Sequence, residues 1–459
     1  MSKKITILGT GISGLATAYW LFKDGYDVEI LEQKSVPGGS METFSEEGFL
    51  LDLGPNSGLE TTPLISKLAG EVGIRYQMLY ASDVSNKRYI LRNGTLHALP
   101  TTPLAFFITK LFSASAKFRL MKEPFIGKSE DGYYQSIADF VRRRLGNEFY
   151  DYAIDPFVSG VFAGDPEKLS VKSAFPKLYR LEEIYGGLIK GMIKGARERK
   201  KRAEQSKQSA KMFSFIGGMQ SFPQAIANKL SGKIIYNASV ENVLKKPNGY
   251  HVFYKKNGEL KVTITDAVLS TLPAYTTAKI LSAFGNELPV HLNSIYYPPV
   301  KVLYLGYEKS KIGRPLDGFG FLIPSKERKK FLGAIWSSTI FPRRAPNHFA
   351  AFTLFIGGAR SPQIFEGDQK ILIREVLSEF AGIMRITANP IFMKERMWEN
   401  AIPQYNLGYI EHENYFDKFE QENPGIFLSG NYRGGISVGD CVKNSELVFN
   451  KIKTAIEHR

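Results

Sequence analysis

Glycines 9, 11 and 14 stand between a short β-branched run and a helical one, and no other feature constrains this chain as much. Ile5-Thr6-Ile7-Leu8 predicts a buried strand. Leu15 to Lys23 has helical spacing, and Gly25 is placed to stop that helix. Val28 to Glu32 predicts a second strand, so the first 32 residues hold one βαβ unit. In such a unit Gly9 permits the tight turn, Gly11 lets a pyrophosphate reach the backbone, and Gly14 lets the helix lie on the strand. Thr10, Ile12 and Ser13 complete the turn, and the helix N-terminus faces the phosphates. Glu32 closes the second strand 18 residues after Gly14, where a carboxylate accepts ribose hydroxyls and repels a 2′-phosphate. That disfavours NADP, while FAD and NAD fit the fingerprint equally.

The rest of the chain is read more coarsely. A helical stretch is expected near Leu64–Val72, and strands at Ser239–Leu244, Tyr250–Tyr254 and Val262–Leu269, with Asn257-Gly258 as one turn between them. Thr101 to Lys122 mixes Phe106, Phe107, Leu111, Phe112 and Phe118 with Lys110, Lys117, Arg119 and Lys122, which predicts an interfacial helix. Lys190 to Lys211 holds nine basic and two acidic residues, seven of the fifteen net positive charges. By itself such a run is commonly a solvated face. Beside the aromatic segment it favours an anionic membrane surface. No run approaches the roughly 18 apolar residues of a membrane span. Glycines break the apolar stretch after Lys3 and Lys4, so a secretory signal is not expected. The lone Cys441 excludes a disulfide framework, and the histidines show no metal-ligand spacing, so no metal is expected. Nothing matches a nucleic-acid-binding module.

Further blocks carry a resemblance. Pro37-Gly38-Gly39 and Asp52-Leu53-Gly54-Pro55-Asn56-Ser57 resemble the loops that line the flavin in the FAD-binding amine-oxidase superfamily. Ser40 stands where that superfamily commonly has arginine. The run Asp155 to Ser170, with Asn86 to Ile90, Phe215 to Gln220, Tyr297 to Val300, Ser337 to Pro346, Ala401 to Tyr405 and Gly430 to Gly439, is similar to the protoporphyrinogen oxidase family. The blocks keep their order from end to end.

The resemblance implies a flavin oxidase of haem biosynthesis that removes hydrides from a porphyrinogen and reduces dioxygen to hydrogen peroxide. It implies FAD held by Gly9 to Gly14, Glu32, Gln33, Gly39, Ser40, Gly54, Pro55, Asn56 and Ser57. Val240 would meet the adenine, Trp398 would sit near the flavin, and Ile436, Ser437 and Val438 near its pyrimidine end. Asn56 reads equally as a turn residue, and Trp398 equally as core. Arg88 matches the arginine that binds a substrate propionate, a task suited to a forked donor. Leu322, Ile335 and Phe355 match residues that clasp the pyrrole rings, although by pattern alone each is also a core residue. Ala163 stands where the family offers a backbone carbonyl to a pyrrole NH. No catalytic side chain is expected, because flavin accepts the hydride.

The expected fold is α/β, with a Rossmann-type FAD domain from 1–85, 212–275 and 390–459. A helical membrane-facing domain is expected at 86–211, and an α+β substrate domain at 276–389. Expected partners are a tetrapyrrole, dioxygen and an anionic membrane surface, with no nucleic acid. A homodimer is left open. The expected place is the cytoplasm, peripheral on a membrane. Protoporphyrinogen IX is preferred over coproporphyrinogen III, whose extra carboxylates call for more cations. The alternatives are another amine-oxidase-like flavoenzyme, or a tetrapyrrole carrier without catalysis.

Overall fold

The first strand, Lys4–Leu8, is buried from Ile5 onward and lies at the centre of a five-stranded parallel sheet. Its apolar, β-branched sequence suits a strand covered on both faces. The order across the sheet is 234–235, 27–31, 4–8, 267–270 and 426–428. Helix Ile12–Lys23 crosses over between the first two strands and is buried almost all round. The last helix, Val438–Glu457, lies against it, and the Ser445 hydroxyl donates to the Ser13 carbonyl at 3.0 Å. Cys441 is a buried residue of this last helix. These relations come from a computed structural model that describes residues 3–202 and 210–457, side chains of 196–202 excepted.

A three-stranded antiparallel sheet (238–246, 249–256, 259–265) extends from the parallel one. The strand expected at Val262–Leu269 is two strands. It breaks at Asp266, whose carboxylate accepts the Lys4 N–H at 2.8 Å, so the chain leaves one sheet and enters the other there.

A seven-stranded sheet runs in the order 392–398, 300–308, 349–357, 333–335, 318–322, 87–92, 95–98. Helix Gln369–Met384 covers one face with a core that includes Phe321, Phe352, Trp336 and Phe380. This sheet crosses the expected domain boundaries. Strand Lys87–Arg92 pairs in parallel with 318–322, and Phe392–Trp398 pairs with Val300–Glu308. Residues 87–98, expected in the helical domain, and 392–398, expected in the nucleotide domain, therefore belong to this seven-stranded sheet.

The region 103–202 is helical. The single helix expected over Thr101–Lys122 is two, Pro103–Ile108 and Ala114–Met121. Glu148 accepts the Ser113 N–H at 2.7 Å and the Ser113 hydroxyl, and Ser113 in turn caps the second helix through Ala116 N–H. These polar anchors hold the linker in a non-helical path. The two helices leave Leu104, Phe107, Ile108, Phe118 and Met121 at least 59% exposed, with Phe125 at 88% just beyond. Exposed Lys110 and Lys122 lie among them. The charge run begins on helix Leu188–Arg202, and residues 203–209 lie outside the described residues. Among the described residues no helix is long and apolar enough to cross a membrane.

Candidate active site

The glycine turn is built as its spacing requires. Gly9 has φ +97°, and a Cβ on Gly14 would lie 2.3 Å from the Gly9 carbonyl oxygen, so the helix can start there only with glycine. Above Gly11 the space is open, with no heavy atom within 4 Å of where its Cβ would be. No side chain caps the helix that begins at Ile12. Its first N–H groups therefore face an open cradle suited to an anion.

Glu32 lies at the edge of this cradle, 6% exposed. One carboxylate oxygen accepts the Thr10 N–H at 2.9 Å and the Thr10 hydroxyl, and the other accepts the Lys34 N–H at 2.8 Å. Two oxygens with about four acceptor positions leave room for ribose hydroxyls. Gln33 is exposed beside it. The Glu32 carbonyl accepts the Ala238 N–H at 2.8 Å, which brings the strand carrying Val240 alongside; that strand bulges between Val240 and Asn242.

From the turn, the other predicted residues form a continuous trail. Gly38 N–H donates to the Thr10 carbonyl at 3.0 Å, and Gly39, at φ +61°, lies beside the Gly11 backbone, away from its open side. Ser40 follows, and a Cβ on Gly54 would sit 1.8 Å from the Ser40 carbonyl oxygen. Pro55, Asn56 and Ser57 continue toward the seven-stranded sheet, where Thr353 donates to Asn56 Oδ1 at 3.3 Å. Ser437 caps the last helix, accepting the Asp440 N–H at 3.1 Å; partly buried Ile436 precedes it and buried Val438 follows it. The trail has the parts a dinucleotide needs: an uncapped helix start, an open space at Gly11, a buried carboxylate at one end and Asn56 at the other.

The face of the sheet opposite helix Gln369–Met384 presents the predicted substrate residues. Ile335 is in register with Gly320 and Thr353, and Gly333 with Leu322 and Phe355. In antiparallel register these residues share one face. Arg88, paired with Gly320, belongs to the same row. Glycine is required at both positions, because a Cβ on Gly320 would lie 2.1 Å from the Ala334 carbonyl oxygen and one on Gly333 2.5 Å from that of Phe321; Leu322, Ile335 and Phe355 are each only partly buried. Arg88 is exposed, with its guanidinium 5.7 Å from the Phe319 ring centre, and it has no ion-pair partner among the described residues. A small cavity joins the two halves. Asn56 and Ser57 line it from the nucleotide side, and Phe319, Ile335, Thr353 and Arg344 from the sheet.

Two predicted residues are partly engaged by the protein itself. The Ala163 carbonyl accepts the Ala359 N–H at 2.7 Å, so one of its two lone pairs is taken. Leu322 leans toward helix Asp155–Phe162, where a Cβ on Gly160 would meet its methyl at 2.4 Å. Trp398 donates its indole N–H to the Leu53 carbonyl at 2.9 Å, which ties it to the Asn56 loop.

Asp52, Arg344 and Tyr304 carry no individual role in the sequence reading. Arg344, 2% exposed, lies 3.2 Å from the Asp52 carboxylate and donates to Ser214 at 2.6 Å. Asp52 also accepts the Met219 N–H and the Thr43 hydroxyl, each at 2.7 Å. Burial pushes the Asp52 carboxyl up, and the Arg344 charge opposes that. The Tyr304 hydroxyl donates to the Asp52 carbonyl at 2.6 Å. Asp52 and Arg344 lie inside recognised blocks, whereas Tyr304 sits on a uniformly buried strand with no pattern to single it out. Among the described residues no three His, Cys, Asp or Glu side chains gather as a metal site.

Comparison with known proteins gives a consistent result. The family model for flavin containing amine oxidoreductase matches residues 12–446. Protoporphyrinogen oxidase 2 of Arabidopsis thaliana is 33% identical, over 98% of this chain and 95% of its own. Coproporphyrinogen III oxidase of Bacillus subtilis is 27% identical, over 98% of both. A crystal structure from Exiguobacterium sp. 255-15 superposes with a TM-score of 0.81 at 21% identity, covering 99% of each chain, which supports the fold.

Proposed function

The chain belongs to the flavin containing amine oxidoreductase family, and from that premise we propose that it converts protoporphyrinogen IX to protoporphyrin IX with dioxygen as acceptor, releasing hydrogen peroxide. It is an FAD-dependent oxidoreductase acting on a porphyrinogen. The observation that carries this reading is the sheet face shared by partly buried Leu322, Ile335 and Phe355, joined to the Asn56 loop at the end of the dinucleotide trail.

Bound FAD supplies the hydride acceptor. The chain's own part is to bind, orient and keep water out. Phe355, Ile335 and Leu322 give a non-planar apolar macrocycle its walls. Arg88, unpaired at the edge of this face, takes a propionate in a forked geometry. The remaining Ala163 lone pair accepts a pyrrole NH, and the released proton passes to water.

The preference for protoporphyrinogen IX rests on cation supply. Arg92 is paired with Glu148, Arg360 with Asp155 and Lys326 with Asp151, which leaves Arg88 as an unpaired cation of the sheet face. Two propionates suit this better than four. The exposed apolar cluster of 104–125 with Lys110 and Lys122 supports binding to an anionic membrane surface.

The test is an aerobic fluorescence assay on the purified flavoprotein, offered protoporphyrinogen IX and coproporphyrinogen III separately. Red porphyrin fluorescence above the uncatalysed rate, with peroxide, is expected for the first. A faster rate with the second reassigns the substrate. No acceleration with either, despite bound FAD, overturns the proposal in favour of another flavin oxidase or a carrier.

A further inference from the structure

The loop from Asp52 to Asn56 belongs to the nucleotide half, yet its polar groups are held by the substrate sheet. The Tyr304 hydroxyl, from strand 300–308, takes the Asp52 carbonyl at 2.6 Å. The Trp398 indole, from strand 392–398, takes the Leu53 carbonyl at 2.9 Å. The Thr353 hydroxyl, from strand 349–357, takes Asn56 Oδ1 at 3.3 Å. Arg344, just before that strand, takes the Asp52 carboxylate at 3.2 Å. The Asn56 amide is thereby fixed in direction, because its NH2 group donates to the Gly54 carbonyl at 3.2 Å within the loop.

Three of these donors stand on adjacent strands. Tyr304 is in register with Thr353, and Thr353 with Ile335. Phe355 lies two residues beyond Thr353 on the same face. The residues proposed to contact substrate and those that grip the loop are thus neighbours on one surface. Tyr304 is 1% exposed, and its hydroxyl has no partner other than this carbonyl among the hydrogen bonds of the described residues. A buried phenol in a strand core costs free energy unless its bond is made, so its presence marks a constraint on the loop.

We propose that Thr353 and Tyr304 are positioning residues, which set the Asn56 loop, and so the flavin environment, from the substrate-binding sheet. They touch neither substrate nor cofactor in this scheme. They act through the Asp52 carbonyl and the Asn56 amide. The inference rests on the porphyrinogen-oxidase reading for its kinetic consequence, but not for its spectroscopic one.

The test uses FAD-loaded Thr353→Val, Thr353→Ser and Tyr304→Phe. Thr353→Val and Tyr304→Phe keep side-chain volume close to the parent, and Thr353→Ser keeps the hydroxyl while losing one methyl. The readouts are the flavin midpoint potential, the visible flavin spectrum, and kcat and KM with the porphyrinogen. Thr353→Val and Tyr304→Phe are expected to shift the potential and spectrum with full FAD content, and to lower kcat roughly tenfold with KM within about twofold, the range a displaced reacting geometry produces. Thr353→Ser is expected to restore parent values. Parent-like potential and kcat in Thr353→Val and Tyr304→Phe overturn the proposal, as does a fall in melting temperature with no flavin change. If the parent oxidises no porphyrinogen, the functional reading fails, while the potential and spectrum still decide this one.

Discussion

Gly39 stands so close over Gly11 that a Cβ on residue 39 would lie 3.1 Å from the Gly11 Cα. Two segments 28 positions apart in sequence thus form the two sides of one cradle, and the positive φ of Gly39 keeps its backbone there. The nearness of Gly54 to Ser40 repeats the device one loop further along.

Gly39→Ala should therefore weaken FAD retention. The new methyl meets backbone, and the left-handed conformation disfavours alanine. About a tenfold rise in Kd, or about 1.4 kcal/mol, is expected, read from the flavin-to-protein ratio after dialysis. A parent-like ratio refutes the cradle.

Glu32→Gln should cost FAD affinity by about tenfold or more. An amide NH2 would face either the Thr10 or the Lys34 N–H, and each arrangement leaves a buried donor against a donor. Titration of the apoprotein with FAD checks this.

Arg88→Ala should raise KM for the porphyrinogen about tenfold and leave bound FAD unchanged, since a charged hydrogen bond contributes roughly 1.5–3 kcal/mol. Equal kinetics for variant and parent remove Arg88 from the site.

Arg344→Met should destabilise the fold by about 3–5 kcal/mol, because it strands the buried Asp52 carboxylate without its counter-ion. Denaturant unfolding measures it, and a loss below about 1 kcal/mol contradicts the pairing.

Acid should loosen the helical region first around Glu182. Burial acts to raise its carboxyl, but hydrogen bonds from Arg144, Arg143 and the Ser129 N–H outweigh that and hold it below the usual range. A carboxylate depressed in the folded state contributes stability above its unfolded pKa and loses it as pH falls through the folded value. The contribution should thus be complete at neutral pH and fade below about pH 4. Melting temperatures of parent and Glu182→Gln from pH 7 to 3 should converge toward the acid end.

How much of this was legible follows the range of each signal. The Gly9–Glu32 unit was plain because its strand, turn, helix and strand lie within 32 residues and each carries its own local pattern. The substrate sheet was not, because the pairing of Lys87–Arg92 with 318–322 is a register between distant segments with no local mark. The break at Thr109–Ser113 is imposed by Glu148, 35 residues from Ser113. The engagement of the Ala163 carbonyl depends on the backbone of Ala359, which no side-chain pattern announces. Leu322, Ile335 and Phe355 could be named by resemblance, but their shared face needed the register of three strands.

The interleaving of the sheets has a consequence for how the protein is made. Lys87 meets Asp317 across 230 residues, and the central parallel strand 4–8 acquires its neighbour 267–270 only after most of the chain exists. The loop-closure cost of such distant pairings falls early in folding and their return comes late. No single stretch can be cut out as a self-standing half, because each sheet borrows strands from both sides of the other. On the ribosome, strand 4–8 has strand 27–31 beside it early, while its other edge must wait for 267–270. A chain stalled before residue 267 leaves that apolar edge without its partner and open to proteases and chaperones.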